Sequence, residues 1–365
     1  MKIKIGNKLI GEGNPCFIIA EAGVNHNGKL ELAKKLVDAA KKAGADAVKF
    51  QTFKAEALVI RDLPVEEYQK SERKESQFEM LKRLELKEKD LKELALYCEK
   101  KRIIFLSTPY DQESADLVEK LGVLSFKISS SDLNNIPLLE HIAKKKRPMI
   151  ISTGASYLRE VKEAVRAVKK EGNKKIILLH CTSRYPAQLK EVNLKAILTL
   201  KKKFPFSAGY SDHTKGINVS LAAVALGASI VEKHFTLKKN LEGPDHKASL
   251  DPQELKTLVQ GIRNIEKRLT EKEKPENILK ELNVQTAIGN GIKKPVKIEQ
   301  EERALGWRSI VANKEIQKGE IIKKDMLAIK RPGTGIKPKY FWQIIGKTAK
   351  RKINEDALIK FEDLK

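Results

Sequence analysis

One alternation governs most of this chain: a short apolar run, then an amphipathic stretch, repeated eight times. The runs cover residues 16–21, 45–51, 103–107, 124–128, 148–152, 176–180, 206–210 and 229–234. Each is short for a helix and is bounded by charged or turn-forming residues, which points to a strand of a parallel sheet. The stretches between, among them 30–43, 87–100, 157–170, 192–202 and 218–226, carry apolar residues at helical spacing. Gly44, Gly122, Gly172 and Gly227 stand where such helices end. A ninth helical stretch, 252–269, follows the last strand. Eight strands each followed by a helix predict a (β/α)₈ TIM barrel, an α/β fold, with two short strands over 2–5 and 8–10 plugging its bottom.

Two departures from the repeat carry information. After the second run about two dozen residues, 52–75, pass before the next helix, where a βα loop ordinarily takes roughly 2 to 6; a lid over the barrel mouth is expected. After Leu269 the text changes to a charged, Pro- and Gly-punctuated stretch, 270–295, read as a helix remnant plus linker. Short strands with tight turns follow at 309–312, 317–319 with Gly319 suited to positive φ, 321–322 and 330–335. The expected division is a barrel over 1–280, a linker over 281–302 and a small β-rich domain over 303–365. A module of about 60 residues is marginal alone, so it should be packed on something.

Composition narrows the function classes. The chain has 72 Lys and Arg against 48 Asp and Glu, a net charge of +24, but the lysines are spread as pairs along amphipathic helices. A scattered excess of this kind needs no polyanion to explain it. Aromatic residues make up only 5% of the chain, so a base-stacking surface, and with it a nucleic-acid partner, is not expected. No 18-residue apolar run exists, and the start lacks the apolar core of a signal peptide. A cytoplasmic protein with no membrane partner is therefore expected. Cys16, Cys98 and Cys181 are odd in number and spaced unlike a disulfide framework or zinc site, and read as reduced thiols.

In such a barrel the chemistry gathers at the C-terminal ends of the strands. Read there, the chain offers Glu21, Asn25 and His26; Lys49 and Gln51; Thr108; Lys127 with Ser129–Ser131; Ser152; His180, Cys181 and Ser183; Ser211, Asp212 and His213; and Glu232 with His234. Burying Lys49 and Lys127 costs several kcal/mol unless an anion compensates. A bound phosphate and carboxylate would do so, with the hydroxyls of Thr108, Ser130, Ser152 and Ser211 as neutral donors. An ion pair with Glu21 or Glu232 is the plainer account of either lysine. His213 and His234 top adjacent strands, so their imidazoles can converge on one divalent metal. A Schiff-base aldolase using Lys49 or Lys127, and a Cys181 nucleophile beside His180, are the competing chemistries.

Six motifs in chain order resemble a known family: Phe17-Ile18-Ile19-Ala20-Glu21-Ala22-Gly23-Val24-Asn25-His26-Asn27-Gly28, Val48-Lys49-Phe50-Gln51-Thr52, Phe126-Lys127-Ile128-Ser129-Ser130, His180-Cys181-Thr182-Ser183-Arg184-Tyr185-Pro186, Ser211-Asp212-His213 and Glu232-Lys233-His234-Phe235-Thr236. They look like the bacterial sialic acid synthases, which condense phosphoenolpyruvate with an N-acetylated hexose. Lys330-Arg331-Pro332-Gly333-Thr334-Gly335-Ile336 is similar to the antifreeze-like (SAF, β-clip) domain that follows their barrel.

The resemblance implies that His213 and His234 bind Mn²⁺, with Mg²⁺ or Co²⁺ as alternatives. It implies that Lys49, Thr108, Lys127, Ser130, Ser152 and Ser211 hold phosphoenolpyruvate and that Glu21 sits near the reacting carbons. Gln51, Tyr185 and Asp245 match sugar-contacting positions, and Asp132 and Ser183 complete the expected substrate contacts. Arg331 matches an arginine that enters a partner subunit's barrel, implying a domain-swapped homodimer. The implied product is N-acetylneuraminate from N-acetylmannosamine. Family members often have Lys-Ile-Gly-Ser-Gly-Glu where this chain has Lys127-Ile128-Ser129-Ser130-Ser131-Asp132, and the segment 76–81 looks closer to legionaminic acid synthases. An N,N'-diacetyllegionaminate or pseudaminate synthase is therefore the alternative, and a non-enzymatic binding protein the reading from a different class.

Overall fold

The computed structural model describes residues 2–66, 69 and 74–365. Eight parallel strands close a barrel: β3 (Phe17–Gly23), β4 (Ala47–Thr52), β5 (Ile104–Pro109), β6 (Phe126–Ile128), β7 (Met149–Ser152), β8 (Ile176–Cys181), β9 (Ser207–Asp212) and β10 (Ile230–His234), with β10 pairing back onto β3. Ahead of them β1 (Ile3–Ile5) and β2 (Lys8–Ile10) form an antiparallel pair. Ile3, Ile5 and Ile10 join Phe17, Ile19, Ala47, Leu106, Ile150, Ile177, Leu179 and Ile230 in one buried cluster that fills the barrel from below.

That cluster fixes which strand residues point inward, because successive side chains alternate between faces. Phe17 and Ile19 make Glu21 the next inward residue of β3, Ala47 does the same for Lys49 and Gln51, and Leu106 for Thr108. By the same count Ile150 leads to Ser152, Leu179 to Cys181, and Ile230 to Glu232 and His234. These six strands are therefore apolar below and polar above on one face, Lys127 of β6 and Ser211 of β9 complete the upper layer, and that layer opens at the C-terminal mouth. The opposite faces, with Ile18, Val48, Phe126, Ile151 and Leu178, pack against the surrounding helices.

The helices follow the amphipathic stretches closely, as at Leu30–Ala43, Glu88–Lys100, Leu158–Lys170, Asn218–Ala225 and Pro252–Thr270. The stops are as expected: Gly44, Gly122, Gly172 and Gly227 have φ of 87°, 81°, 73° and 82°. One stretch differs. The helix expected over 192–202 is split into Leu189–Val192 and Ala196–Lys203. Asn193 takes φ 57° between them, accepts from the Gly291 N–H and donates to the Ile292 carbonyl. At the break the backbone N–H groups of Leu194 and Lys195 donate to the Ala287 and Ile288 carbonyls in place of the helical ladder.

Of the long connection at 52–75, residues 67, 68 and 70–73 lie outside the described residues. The rest is packed across the mouth: Phe53, Ala55, Leu58, Val59 and Leu63 join Val24, Tyr110, Met80, Leu81 and Leu84 in a separate buried cluster. Met80, Leu81 and Leu84 come from the helix Gln77–Leu84, which Ser76 caps.

The C-terminal module has its own core of Ile310, Ile316, Ile322, Met326, Ile344 and Ile359 around β11 (Ser309–Ala312) and β12 (Leu327–Lys330). Gly319 takes the expected positive φ of 84°. The module rests on its own barrel, joined by a helix over Lys297–Gly306, hereafter the junction helix. Arg308, fully buried, donates to both oxygens of the fully buried Asp132 at 2.7 and 3.1 Å and to the Leu58 carbonyl at 2.8 Å. Replacing Arg308 with Ala leaves Asp132 buried without its counter-charge. The expected loss is about 3–5 kcal/mol of stability, read as a lowered urea midpoint. Replacing Arg308 and Asp132 together by Met and Leu should recover most of it, and a loss below about 1 kcal/mol in Arg308→Ala would contradict the buried-pair account.

Candidate active site

The inward polar layer and the loops above it line a cavity of about 160 Å³. Of the residues expected to act on substrate, Glu21, Lys49, Gln51, Thr108, Lys127, Ser130, Ser152, Ser183, Tyr185, Ser211, His213, His234, Asp245 and Arg331 all line it. Asp132 does not. Its oxygens are taken by Arg308 and by the Ser129 hydroxyl at 2.6 Å, so the shorter carboxylate at this position serves the join between module and barrel, in place of a sugar contact.

The two lysines meet glutamates. Lys49 Nζ lies 2.7 Å from Glu21 Oε2 and 3.7 Å from Glu232 Oε2, and it donates to Thr108 Oγ1 at 3.1 Å. Lys127 Nζ lies 3.2 Å from Glu232 Oε1, which also accepts from the Ser211 hydroxyl at 2.9 Å. Strand register explains the pairing, since Glu21 stands beside Lys49 across β3 and β4 and Glu232 beside Ser211 across β9 and β10. Two cations and two carboxylates thus sit at the floor of one cavity, all nearly inaccessible to solvent.

The carboxylates are not equivalent. Burial pushes Glu21 up to about 7, against the pull of Lys49. Burial would raise Glu232 as well, but Lys127 and Lys49 outweigh it and hold that carboxyl down to about 2. Glu21 is therefore the group that can gain or lose a proton near neutrality, while Glu232 stays an anion. Lys49 remains charged because Glu21 and Glu232 overcome the effect of burial, whereas Lys127 is lowered, chiefly by burial. Around them the hydroxyls of Ser152 and Ser183 are buried with no hydrogen-bond partner. Unpaired buried donors of this kind are costly and fit an oxygen-rich ligand.

His213 and His234 face each other with ring centroids 5.6 Å apart. Tyr185 stacks on His213 at 3.9 Å and meets His234 edge-on at 5.4 Å. The His213 Nδ1–H donates to the Thr182 carbonyl at 2.6 Å, which leaves Nε2 as the lone-pair nitrogen. His234 Nδ1 is buried with no hydrogen-bond partner, 3.9 Å from Asp245 Oδ2. Burial holds His213 down to about 4 and His234 well below its ordinary value. Two neutral imidazoles suit a divalent transition metal whose remaining positions go to water or substrate oxygen. Among the described residues no group of three or more His, Cys, Asp or Glu side chains is set to hold a metal, so the protein's share would be this pair. Cys181 lies beside them, its Sγ 3.6 Å from His213 Nδ1, but burial pushes the thiol up to about 12. A thiolate nucleophile is thereby disfavoured.

Arg331 enters the cavity of its own chain. Its Nη1 donates to Gln77 Oε1 at 3.0 Å, its N–H to the Leu58 carbonyl, and its carbonyl accepts from the Ile60 N–H. The domain-swapped homodimer that the resemblance implies would place the same arginine at a partner's cavity, and that assembly stands as a proposal. Here the chain turns back at Gly289 and Gly291 and is pinned by Asn193 and Thr199, which brings the junction helix over the tops of β7 and β8.

Sequence reasoning missed several lining residues. Glu232 is not among them: it is named above with His234 at its strand end and shares the inward parity of Ile230. Glu66, Glu302, Arg303 and Trp307 come from the lid and the junction helix, and nothing in local pattern marks them. Glu302 has a measurable consequence: burial, with Glu66 and Glu299 adding to it, raises its carboxyl from the ordinary 4.5 to about 8. Between those values the folded chain binds more protons than the unfolded one, so stability falls as pH rises from 4.5 to 8. Glu302→Gln should flatten that slope in denaturant titrations at pH values across the window. Identical slopes for the two proteins would sink the assignment.

Comparison with known proteins agrees with this geometry. The NeuB family profile matches residues 36–274 and the SAF domain profile residues 308–365. The N,N'-diacetyllegionaminic acid synthase of Campylobacter jejuni is 49% identical over 348 residues, covering 94% of this chain and 98% of the relative. That of Legionella pneumophila is 47% identical over 365 residues, covering 98% and 97%. The crystal structure of the Bacillus subtilis spore coat polysaccharide biosynthesis protein SpsE superposes with a TM-score of 0.85 at 40% identity, covering 100% of this chain and 99% of that one. With the barrel and the C-terminal module both accounted for, the chain belongs to the NeuB family and is a sialic acid synthase-like enzyme with a C-terminal SAF domain.

Proposed function

We propose that this enzyme condenses phosphoenolpyruvate with an N-acetylated hexose to give a nine-carbon nonulosonic acid. The observation that carries this is the cavity floor, where Lys49 and Lys127 stand among the hydroxyls of Thr108, Ser130, Ser152 and Ser211, beside Glu21 and two neutral imidazoles. Within the class, N,N'-diacetyllegionaminate is favoured over N-acetylneuraminate. Two relatives sharing nearly half their residues with this chain carry that name. The upper cavity is also walled by Leu58, Met80, Leu81 and Leu84, a better surface for the methyl end of a 6-deoxy diacetamido sugar than for a hydroxymethyl group.

The mechanism follows from the charges. Lys49 and Lys127 hold the phosphate and carboxylate of phosphoenolpyruvate, a preorganised electrostatic role. C3 attacks the aldehyde carbon of the open-chain sugar, forming the carbon–carbon bond while the carbonyl electron pair moves to oxygen. A divalent ion held by His213 and His234 would polarise that aldehyde. C2, left cationic, is captured by water, whose proton Glu21 accepts. The C2 hydroxyl then collapses to the ketone, the bond from C2 to the bridging oxygen breaks, phosphate leaves carrying that oxygen and the hydroxyl proton, and Glu21 passes the water's other proton to the sugar alkoxide. Without substrate the lysines are neutralised by Glu21 and Glu232; phosphoenolpyruvate takes over part of that role and frees the Glu21 carboxylate to act as the base. A second reading has one observation in its favour, the lowered Lys127 amine of a Schiff-base aldolase.

A panel of N-acetylated hexoses tested with phosphoenolpyruvate and Mn²⁺ decides the acceptor. The 6-deoxy diacetamido sugar should give the highest kcat/KM; a clear preference for N-acetylmannosamine would reverse the choice of sugar. Borohydride should trap nothing on Lys49 or Lys127, and a trapped adduct would establish the aldolase reading instead.

A further inference from the structure

We propose that Glu299, on the junction helix, is a positioning residue that sets the two loops above β7 and β8, and with them the cavity hydroxyls of Ser130 and Ser183; this rests on the phosphoenolpyruvate reading above. Glu299 lies between the two family matches, which end at 274 and resume at 308, and neither assigns it a part. Its side chain is 3% exposed. Oε1 accepts two backbone N–H groups, those of Ala155 above β7 and Ser183 above β8, both at 2.8 Å. Oε2 accepts from the Val296 N–H at 3.0 Å, at the start of its own helix. One carboxylate thus ties two adjacent barrel loops to each other and to the helix that leads into the SAF domain.

The loops need such a tie. Ala155 has φ 51°, the left-handed region where a side chain is strained at about 1 kcal/mol or more. Both of its backbone groups are held from the junction helix, the N–H by Glu299 and the carbonyl by Arg303 Nη1 at 2.6 Å. Next to it the Gly154 N–H donates to Ser130 Oγ at 2.9 Å. A Cβ at residue 154 would lie 2.4 Å from Ser183 Oγ and 2.7 Å from Ser130 Oγ. Loop 153–155 therefore presses against two of the hydroxyls that line the cavity, and its height sets where they stand. Ser183 in turn leads through Arg184 to Tyr185, whose ring stacks on His213. Released from Glu299, residue 155 can relax out of its left-handed conformation and the hydroxyl ring loses its spacing.

The test uses the full chain. Glu299→Ala should raise the KM for phosphoenolpyruvate and lower kcat, together costing about 10- to 100-fold in kcat/KM, with the KM for the sugar changed less. Glu299→Gln, which keeps an acceptor oxygen for the two loops, should recover much of that loss. Ala155→Gly in the Glu299→Ala background should also restore activity in part, because glycine holds the conformation without strain. Lys339→Ala breaks a different contact between SAF domain and barrel, the 3.0 Å pair with Glu163, and should leave the kinetics at wild-type values. Amide exchange should show Ala155 and Ser183 losing protection in Glu299→Ala. Kinetics within twofold of wild type in that variant, or unchanged protection at both amides, would overturn the proposal. Wild-type inactivity with every sugar would instead count against the proposed reaction, and the exchange measurement would still judge Glu299.

Discussion

Exhaustive treatment with EDTA is expected to abolish turnover, and Mn²⁺ to restore it. The donor pair is the reason. His213 is fixed by its bond to Thr182 with Nε2 left as the lone-pair nitrogen, and His234 is buried with Nδ1 unpartnered. Burial keeps both neutral at the pH of the reaction, so neither proton competes with a cation. A Lewis acid at a developing alkoxide is worth several kcal/mol, roughly 10³-fold or more in rate. His234→Ala should behave like the chelated enzyme at ordinary Mn²⁺ concentrations. It should also bind fewer Mn²⁺ ions per chain by equilibrium dialysis, a readout that needs no turnover. Full activity in the chelator would remove the metal from the account and leave the imidazoles as hydrogen-bonding groups around Tyr185.

Lys127→Met should lower kcat/KM for phosphoenolpyruvate by about 10³. Two losses add. The first is the cation that meets substrate oxygens. The second concerns Glu232, held down to about 2 by Lys127 together with Lys49; with Lys127 gone, a buried carboxylate faces an incoming phosphate with half its compensation missing. Glu232→Gln in the same chain should recover part of the loss, since it removes that repulsion. Lys127→Arg should rescue poorly, because the guanidinium cannot occupy the space of an ammonium 3.2 Å from Glu232. Activity of Lys127→Met within tenfold of wild type would show that Lys49 alone carries the anion.

Much of this site was legible before the fold was seen, and for one physical reason. The apolar lower half of six barrel strands and their polar upper half share a period of two, so Phe17 and Ile19 announce Glu21, and Ile230 announces Glu232 and His234. Residues that take their role from that alternation were found. Residues that arrive over long separations were not. Asp132 carries a carboxylate at a strand end, as a sugar contact would, and only the approach of Arg308, 176 residues away, shows that its charge is spent on holding the SAF domain. Arg331 is named by its motif and does line the cavity; what the sequence does not show is its partner there, Gln77, 254 residues away. Glu299 and Glu302 lie on a helix that begins inside the stretch expected to be linker, where no alternation of apolar and polar residues announces a site. The split at Asn193 was hidden for the same reason, since its partners are at Gly291 and Ile292.

The most direct test of the central claim uses phosphoenolpyruvate carrying ¹⁸O in the oxygen that bridges C2 and phosphorus, mixed with the 6-deoxy diacetamido hexose, Mn²⁺ and the enzyme. Phosphate should be released only when the sugar is present, in step with the nonulosonic acid, and mass spectrometry should find the label in the phosphate. Label retained in the sugar acid, or phosphate released at the same rate without any sugar, would contradict the account.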